Sequence, residues 1–436
     1  MSRLPTSWAT TTLGEVSYDC LQTVPSEEQS FSYIDIAAVD REIKQISSPQ
    51  KLIGKDAPSR ARKLIAKGDV LVSMTRPNLN AVALVPKELD GEIASTGFDV
   101  LRASEIDPRW IFYTVRSTRF IERMCELVQG ALYPAVRGKD IRSYEIPLAP
   151  LPEQKRIADK LDSVLARVDA CRDRLDRLPA LLKRFRLSIL AAATSGRLTE
   201  DWRLATGHTG TGPYPTTKLS TVAISRLGKM LDKAKNSGSL TPYLRNVNVR
   251  WFDFDLSDIQ EMRIEDSERE ALFIKTGDLL ICEGGEPGRC AIWHGENGQF
   301  IFQKALHRVR PDHNRLLSQW LAFSLKFAAD NNTLEDLFTG TTIKHLTGVA
   351  LANFEIPLPP LPEQTEIVRR VELLFAFADR LEARLATARR QVGQLTPALL
   401  AKAFRGELVP QDPADEPAAE LLKRLAAQRG AAPKAK

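Results

Sequence analysis

One stretch of this sequence occurs twice, and its two copies start 210 positions apart. EIPLAPLPEQK at 145–155 returns as EIPLPPLPEQT at 355–365, and the same spacing continues without a gap to Gly196 and Gly406. Two copies of one unit in one polypeptide predict a pseudo-dimer. A chain built in this way presents two related surfaces, which suits a two-part target better than a single small substrate.

Composition sets only broad limits on fold and function. With 436 residues the chain is too long for one core, and the duplication predicts four segments that are alternately globular and connecting. The net charge of +6 permits an acidic partner but is too mild to identify one. The N-terminus lacks the apolar block of a signal peptide and no apolar run is long enough for a membrane span, so we expect a cytoplasmic protein. Its five cysteines are scattered without a CxxC pair and are expected to be reduced thiols.

A seam of apolar residues follows each proline-rich copy. Apolar residues recur at alternating steps of four and three from 157 to 189, and the positions 210 residues further on are apolar as well. This spacing is typical of coiled-coil helices. The two helices are predicted to fold back on each other as an antiparallel pair. The alternative is that each seam packs on its own globular domain.

The ends of these helices carry their own signals. In each copy a proline precedes Glu-Gln, at 152–154 and 362–364, which suits the first turn of a helix. The glycine that ends each copy is suited to a C-terminal cap. Pro179 and Pro397 lie inside the predicted helices, and each predicts a kink or a break between two helical pieces.

The two globular parts mix short strand-like runs with short helices. Trp110 and Trp320 lie 210 positions apart on helix-like stretches, so the parts are predicted to be distant copies of one domain. Apolar runs between turn residues predict strands at 32–40, 69–75, 80–86, 278–283 and 290–294. We divide the chain into a first domain, a first helix, a second domain, a second helix, and a linker with a short amphipathic helix: 1–150, 151–205, 206–360, 361–408 and 409–436.

These features resemble the specificity subunits of type I restriction-modification systems. The resemblance rests on the repeated IPLPPLPEQ element at the end of a globular domain, followed by a long helix that closes in Gly-x-Leu, at 196–198 and 406–408. It covers nearly the whole chain. A single PLPEQ motif would be weak evidence for the family. Two copies, each followed by the same long helix, are a specific signal for it.

The resemblance implies an α/β (α+β) fold with two target-recognition domains separated by an antiparallel pair of long coiled-coil helices, in an internal pseudo-two-fold duplication. Each domain would bind one half of a split double-stranded DNA sequence, and the helix pair would set the gap. In that family the subunit is not an enzyme. It recruits two methyltransferase (modification) subunits, which use S-adenosylmethionine, and an ATP-dependent and Mg-dependent restriction subunit joins them, so no cofactor is expected in this chain.

The absence of familiar catalytic motifs from the sequence favours a binding role. The sequence has no adenine methyltransferase signature, no glycine-rich cofactor loop, no GxxxxGK[ST] phosphate loop and no HExxH zinc motif. Cys282, Glu283, Glu286, Cys290 and His294 invite comparison with a metal site, but a strand-loop-strand hairpin explains them more simply, and we predict no metal. Two rival functions remain open: a coiled-coil structural protein without a DNA role, and a nuclease with an unrecognised acidic site near Glu283.

Candidate DNA-binding residues lie in three kinds of loop. Tips between apolar strands carry side chains that match base edges, since arginine pairs with guanine, asparagine with adenine and glutamate with cytosine: Arg76, Asn78, Asn80, Glu283 and Arg289. Segments leading into each proline-rich copy combine glycine, hydroxyl and basic groups suited to phosphate: Arg137, Lys139, Thr341, Thr342 and Lys344. In the same segments Tyr133 and His345 are candidates for base or sugar contacts. A weaker third group contains Gln303 and Lys304. For every loop the competing interpretation is an ordinary polar surface turn.

Overall fold

In a computed structural model of the chain, the described residues are 4–128, 134–207, 214–232, 234, 236–340 and 344–431, without the side chains of the last two. The chain divides into two compact units. Unit 1 comprises Met1–Asp176 and Ala386–Lys436, and unit 2 comprises Arg177–Leu385. The first long helix, Leu151–Thr194, and the second long helix, Leu361–Ala403, each contribute residues to both units. The fold is therefore two mixed helix-and-sheet domains joined by long helices, as predicted.

Unit 1 contains two sheets that are mainly antiparallel. The four-stranded sheet has the order Val82–Leu84, Val70–Ser73, Phe98–Ala103 and Ser17–Tyr18. The five-stranded sheet has the order Leu21–Gln22, Ala61–Leu64, Ile93–Ser95, Ser30–Ile34 and Gln50–Ile53. Unit 1 also contains two separate pairs of strands: Ala9–Thr12 with Glu145–Leu148, and Val39–Asp40 with Gln45–Ile46. Its shorter helices are Pro108–Val115, Thr118–Glu126, Gly138–Arg142 and Ala418–Ala431.

Unit 2 repeats this plan with different strands. Its four-stranded sheet has the order Ala223–Leu227, Leu306–Pro311, Leu279–Cys282 and Cys290–Ile292. Its three-stranded sheet has the order Gln260–Ile264, Ser239–Leu244 and Ile301–Phe302. Two strand pairs are Thr216–Lys218 with Glu355–Pro357, and Val249–Arg250 with Asp253–Phe254. Its shorter helices are Glu200–Thr206, Asp266–Leu272, Ser318–Asp330 and Gly348–Ala352.

The predicted strands are present, in most cases shorter than the apolar runs that predicted them. The run at 32–40 differs in kind, because the strand ends at Ile34 and a 3-10 turn follows. The carboxylate of Asp35 starts that turn by accepting a 2.9 Å hydrogen bond from the backbone of Ala38. Gly68 and Gly277 occupy equivalent turns before a buried strand, with φ of +86° and +88°, a conformation that favours glycine.

Within unit 2 the two long helices run antiparallel. Arg186 of the first long helix forms ion pairs with Asp379 and Glu382 of the second at 2.6 and 2.9 Å. Arg370 of the second long helix pairs at 2.6 Å with Asp201, which follows the first. Residue numbers rise along the first long helix as they fall along the second. This order confirms the predicted antiparallel pairing of the helices in unit 2.

Unit 1 contains the opposite ends of the same helices. Leu400 of the second long helix shares a buried core with Leu161 of the first and with Trp110 of the domain. The apolar seam of the first long helix therefore packs both on the second long helix and on its own domain. From the sequence these two packing arrangements are alternatives, and unit 1 combines them. Burial is incomplete near the middle, where Cys171 is exposed and Leu178 is 38% exposed.

The helix ends match the sequence signals. The first and second long helices begin one residue before the proline of each repeat, and Gly196 and Gly406 follow their last turns with φ of +80° and +74°. The glycine caps are thus confirmed. Helical structure continues through Pro179 and Pro397, so neither proline breaks its helix, and the alternative of a kink stays a prediction.

The repeated Glu-Gln has a structural function that the sequence did not reveal. Gln154 is fully buried, donates to the carbonyl of Ala149 at 2.8 Å and accepts from the backbone of Asp107 at 3.1 Å. Gln364 makes the same two bonds, at 2.8 and 2.9 Å, with the backbone 210 positions further on. Through these hydrogen bonds each glutamine fixes the start of a long helix to the domain that precedes it.

The preceding glutamates are buried as well, and each has a different set of donors. Glu153 accepts hydrogen bonds from the indole of Trp8 at 3.0 Å and the amide of Gln411 at 2.6 Å. Burial raises the pKa of Glu153. The first long helix thus starts in contact with both terminal segments of unit 1, and the C-terminal helix Ala418–Ala431 packs into the same core.

Candidate nucleic-acid interface

The first candidate loop, which we call loop 1, comprises residues 74–80 and follows a buried strand of unit 1. Arg76 and Asn80 have φ of +47° and +46°, in the left-handed region that is unfavourable for side chains with a Cβ. Between them, Pro77–Leu79 form one 3-10 turn. The backbone of Arg76 donates to the carbonyl of Pro134 at 2.8 Å. Loop 1 is therefore a constrained turn tied to the segment before the first repeat.

The predicted base-reading residues of loop 1 separate into two groups. Arg76 and Asn78 are exposed. Asn80 is only 7% exposed, and its amide donates to the carbonyl of Val115 at 2.8 Å. The side chain of Asn80 thus holds loop 1 to the domain, which differs from the sequence interpretation that it reads a base edge.

Lys44 also supports loop 1, and sequence reasoning missed it. Its Nζ donates to the carbonyl of Asn80 at 2.6 Å. Burial, assisted by the nearby Arg116, lowers the pKa of Lys44 to about 8. Lys44 lies in a hairpin turn with φ of +59°, far from loop 1 in sequence, so no local pattern indicated this contact.

The segment before the first repeat lies against loop 1. Val136 donates a 2.8 Å backbone hydrogen bond to Met74, so the two segments form a continuous surface. Arg137 and Lys139 of this segment are exposed on it, as phosphate contacts require. Tyr133 lies outside the described residues.

The second candidate loop, loop 2, comprises residues 283–289 of unit 2. The backbone of Glu283 accepts from Leu346 at 2.8 Å and donates to Ala305 at 2.9 Å. Loop 2 is therefore tied to both other predicted segments, the one before the second repeat and the one that contains Gln303 and Lys304. The structure brings together three loops that the sequence singled out separately.

The charged side chains of loop 2 are partly engaged with each other. Arg289 is 18% exposed, pairs with Glu286 at 2.8 Å and donates to the carbonyl of Asn246 at 2.9 Å. The indole of Trp251 donates to the other oxygen of Glu286 at 2.7 Å. Arg289 is held along the loop, so reading a base would require it to exchange these partners, whereas the half-buried Glu283 forms the edge of the loop.

The segment that contains Gln303 and Lys304 is anchored through its backbone. Gln303 donates to Leu244 at 2.9 Å and Lys304 donates to Lys229 at 2.8 Å. The side chain of Gln303 is half-buried and that of Lys304 is exposed. These hydrogen bonds involve only backbone atoms and therefore do not fix the direction of either side chain.

The described residues of the segment before the second repeat lie beside loop 2. Thr339 and His345 exchange two backbone hydrogen bonds of 2.9 Å, which brings His345 beside loop 2. Lys344 is half-exposed and pairs with Glu335 at 2.6 Å. The remaining predicted residues, Thr341 and Thr342, lie outside the described residues.

Both copies of the duplicated unit match one known protein family. A family model described as the type I restriction modification DNA specificity domain matches residues 5–180 and 220–388. These two stretches cover most of the chain. The chain belongs to this family.

Individual members of the specificity family are similar along most of their length. The specificity subunit of the type I restriction enzyme EcoKI of Escherichia coli (strain K12) is 31% identical over 384 residues, which are 84% of this chain and 82% of the relative. The crystal structure of an HsdS subunit from Thermoanaerobacter tengcongensis is 28% identical, with a TM-score of 0.65 over 93% of this chain and 98% of that one. A chain solved in work on complex assembly and conformational transition of the type I R-M system gives a TM-score of 0.75 at 28% identity, over 93% and 100% of the two chains.

Membership of the specificity family explains why the surface around loop 1 and that around loop 2 occur in one chain. The family match falls into two stretches, and two recognition domains fit a target with two parts. None of the helices in the described part of the chain combines the length and apolar character needed to cross a bilayer.

Proposed function

We propose that this chain is the DNA-reading subunit of a type I restriction-modification complex, in which each domain reads one half of a bipartite site. One observation carries the proposal most directly. In each unit, a loop after a buried strand is hydrogen-bonded to the segment before the PLPEQ repeat, through Val136 to Met74 in unit 1 and through Leu346 to Glu283 in unit 2. The same composite surface is built twice with different side chains.

The exposed side chains of these surfaces supply the two kinds of contact that DNA recognition requires. Arg76 and Asn78 in unit 1 are suited to base edges, and Glu283 and Gln303 are the corresponding candidates in unit 2. The basic or polar groups around them are suited to phosphate and sugar: Arg137, Lys139, Lys304, Lys344 and His345. Arg289 joins the first group only if DNA displaces its internal partners.

The chemistry of the complex is assigned to other subunits. Two modification subunits with S-adenosylmethionine would methylate the site, and a restriction subunit with ATP and Mg²⁺ would act on unmodified DNA, while this chain performs no catalytic step. In this scheme residues 1–150 and 206–360 are the readers, and the two long helices set the gap and dock the modification subunits. A chain that reads cellular and incoming DNA would work in the cytoplasm.

Sequencing of methylated sites in cells that carry the complete complex tests the proposal. We expect one bipartite motif with a fixed unspecified gap. Exchange of residues 206–355 for the corresponding domain of another family member should change one half of the motif only. A change in both halves, or methylation without a bipartite motif, would contradict the proposed function.

A further inference from the structure

The two units use different interactions to hold equivalent elements together. In unit 1 the helix Pro108–Val115 contacts the first long helix, and in unit 2 the helix Ser318–Asp330 contacts the second long helix. The helices that make the two contacts are related by the 210-residue repeat, and one pair of equivalent residues, Tyr113 and Phe323, takes part in both contacts. The other side chains of the two contacts differ in kind, because they are charged in unit 1 and aromatic in unit 2.

In unit 1 the contact is ionic. Arg109 pairs with Asp159 at 2.7 Å and with Asp162 at 2.6 Å, and its guanidinium is oriented by a further 2.7 Å ion pair with Asp107. The hydroxyl of Tyr113 donates to the other oxygen of Asp162. Burial, together with that hydrogen bond, raises the pKa of Tyr113 above its usual range, so its hydroxyl stays protonated at alkaline pH as well. We call Arg109, Tyr113 and Asp162 the ionic latch.

The ionic latch is connected to loop 1 through a rigid element. The helix that carries Arg109 and Tyr113 ends at Val115, and the carbonyl of Val115 accepts the amide of Asn80 at 2.8 Å. Lys44 holds the carbonyl of the same asparagine. A change in how the helix sits on the first long helix would therefore move loop 1 with it.

In unit 2 the contact is aromatic. The positions equivalent to Tyr113 and Leu165 are Phe323 and Phe375, whose ring centroids are 5.9 Å apart. Phe252 packs edge-on against both rings, at 5.5 and 6.1 Å, in geometries that aromatic pairs favour. We call Phe252, Phe323 and Phe375 the aromatic latch.

The aromatic latch is connected to loop 2. Phe252 has a left-handed backbone with φ of +65°, and its neighbour Trp251 donates to Glu286 of loop 2 at 2.7 Å. Glu286 in turn pairs with Arg289. Lys326 lies 4.8 Å above the ring of Trp251 and supports it by a cation–π contact.

We propose that the ionic latch and the aromatic latch fix the positions of loop 1 and loop 2 on the long helices, and thereby set how strictly the protein rejects half-sites at the wrong separation. The inference rests on the proposed function and adds to it residues that touch no DNA. A loop that is free to shift by about 3.4 Å, the rise of one base pair, would accept a gap one base pair longer or shorter. The latch residues are thus positioning residues.

The test compares variants of the full chain, assembled with its modification subunits. Asp162→Ala removes the acceptor of the ionic latch, and Phe252→Ala removes the central ring of the aromatic latch. Glu372→Ala is the matched control, because Glu372 occupies the position equivalent to Asp162 but lies outside the aromatic latch. Dissociation constants are measured for duplexes with the natural gap and with gaps one base pair longer and shorter, and thermal unfolding is followed in parallel.

For each latch variant we expect the preference for the natural gap to fall about tenfold, while the preferred bases of each half-site stay the same. A tenfold change is the size of one charge-assisted hydrogen bond in the ionic latch and of one or two aromatic pairs in the aromatic latch. The control should keep the wild-type preference. A merely structural role would weaken binding to all duplexes equally. If a variant unfolds below the assay temperature, Tyr113→Phe or Phe252→Leu replaces it under the same criterion.

Two results would overturn the inference in distinguishable ways. If the wild-type complex binds no bipartite site, the proposed function fails and the latch inference fails with it. If the wild type binds such a site and both latch variants keep its gap preference, only the latch inference fails.

Discussion

The carboxylate of Glu363 accepts a 2.7 Å hydrogen bond from the hydroxyl of Tyr214, which lies 149 positions earlier in the chain. Thr199 donates to the same oxygen at 2.7 Å, and Arg203 forms an ion pair with it at 2.5 Å. Burial raises the pKa of Tyr214 to about 12. The start of the second long helix is thereby bound to the segment that enters the second domain.

Removal of Glu363 should be strongly destabilising. Glu363→Ala leaves the guanidinium of Arg203 in a site that is only 12% exposed, without its counter-charge, and we expect a loss of about 3–5 kcal/mol in the free energy of unfolding. Glu153→Ala is the matched control, since its donors, Trp8 and Gln411, are neutral and the loss should be nearer 1–3 kcal/mol, roughly. Urea unfolding of both variants measures the difference, and equal losses would contradict this account.

The low pKa of Lys44 predicts a pH-dependent stability. Since the folded pKa is about 8 and the ordinary value is 10.5, the unfolded chain binds more protons between these two values. Stability should therefore rise as the pH increases from 8 to 10.5, by no more than about 2 kcal/mol because the amine is partly solvated. Urea unfolding of the wild type and of Lys44→Met, at about pH 7 and about pH 10, should show a difference that grows in favour of the wild type. A difference that is independent of pH would be inconsistent with a depressed Lys44 pKa.

Arg76 predicts a change in specificity that is confined to one half-site. Arg76→Ala should relax the preference at one base pair by about 1–3 kcal/mol, because the proposed bidentate contact to guanine would be lost. The half-site read by unit 2 is the internal control and should not change. Binding of a library of duplexes randomised in each half-site measures both. Relaxation in both halves would argue against independent readers.

Replacement of Pro179 by alanine is expected to increase the free energy of unfolding. Pro179 lies inside the first long helix and contributes no backbone N–H to the helix. Pro179→Ala should therefore stabilise the chain by up to about 3 kcal/mol, and Pro397→Ala offers the same comparison in the second long helix. The thermal unfolding midpoint should rise in both variants, and a fall would show that the prolines relieve strain.

The architecture could be predicted from the sequence because its signals are periodic or repeated. The apolar seam predicted the long helices, the recurrence at 210 positions predicted the two domains, and the glycines at 196 and 406 predicted the helix ends. Each of these features depends on residues that are close in sequence or related by a constant offset.

The details of the candidate surfaces could not be predicted in this way. A polar loop residue such as Asn80 looks the same in sequence whether it faces DNA or donates to Val115, because that choice depends on a contact across 35 positions. Lys44 and Trp251 were missed for the same reason, since each supports its loop from a distant hairpin. The 38% exposure of Leu178 is likewise a property of the tertiary structure, because the heptad pattern marks Leu178 as apolar without showing what covers it.

The buried glutamines of the two repeats have a consequence for how such proteins diversify. Gln154 and Gln364 hold their domains through main-chain carbonyl and amide groups, and every amino acid except proline provides both groups. Under the proposed function, recombination within this joint would therefore replace an entire recognition domain without a compensating mutation in the long helix that follows it. A single genetic crossover would then change one half of the target sequence at once.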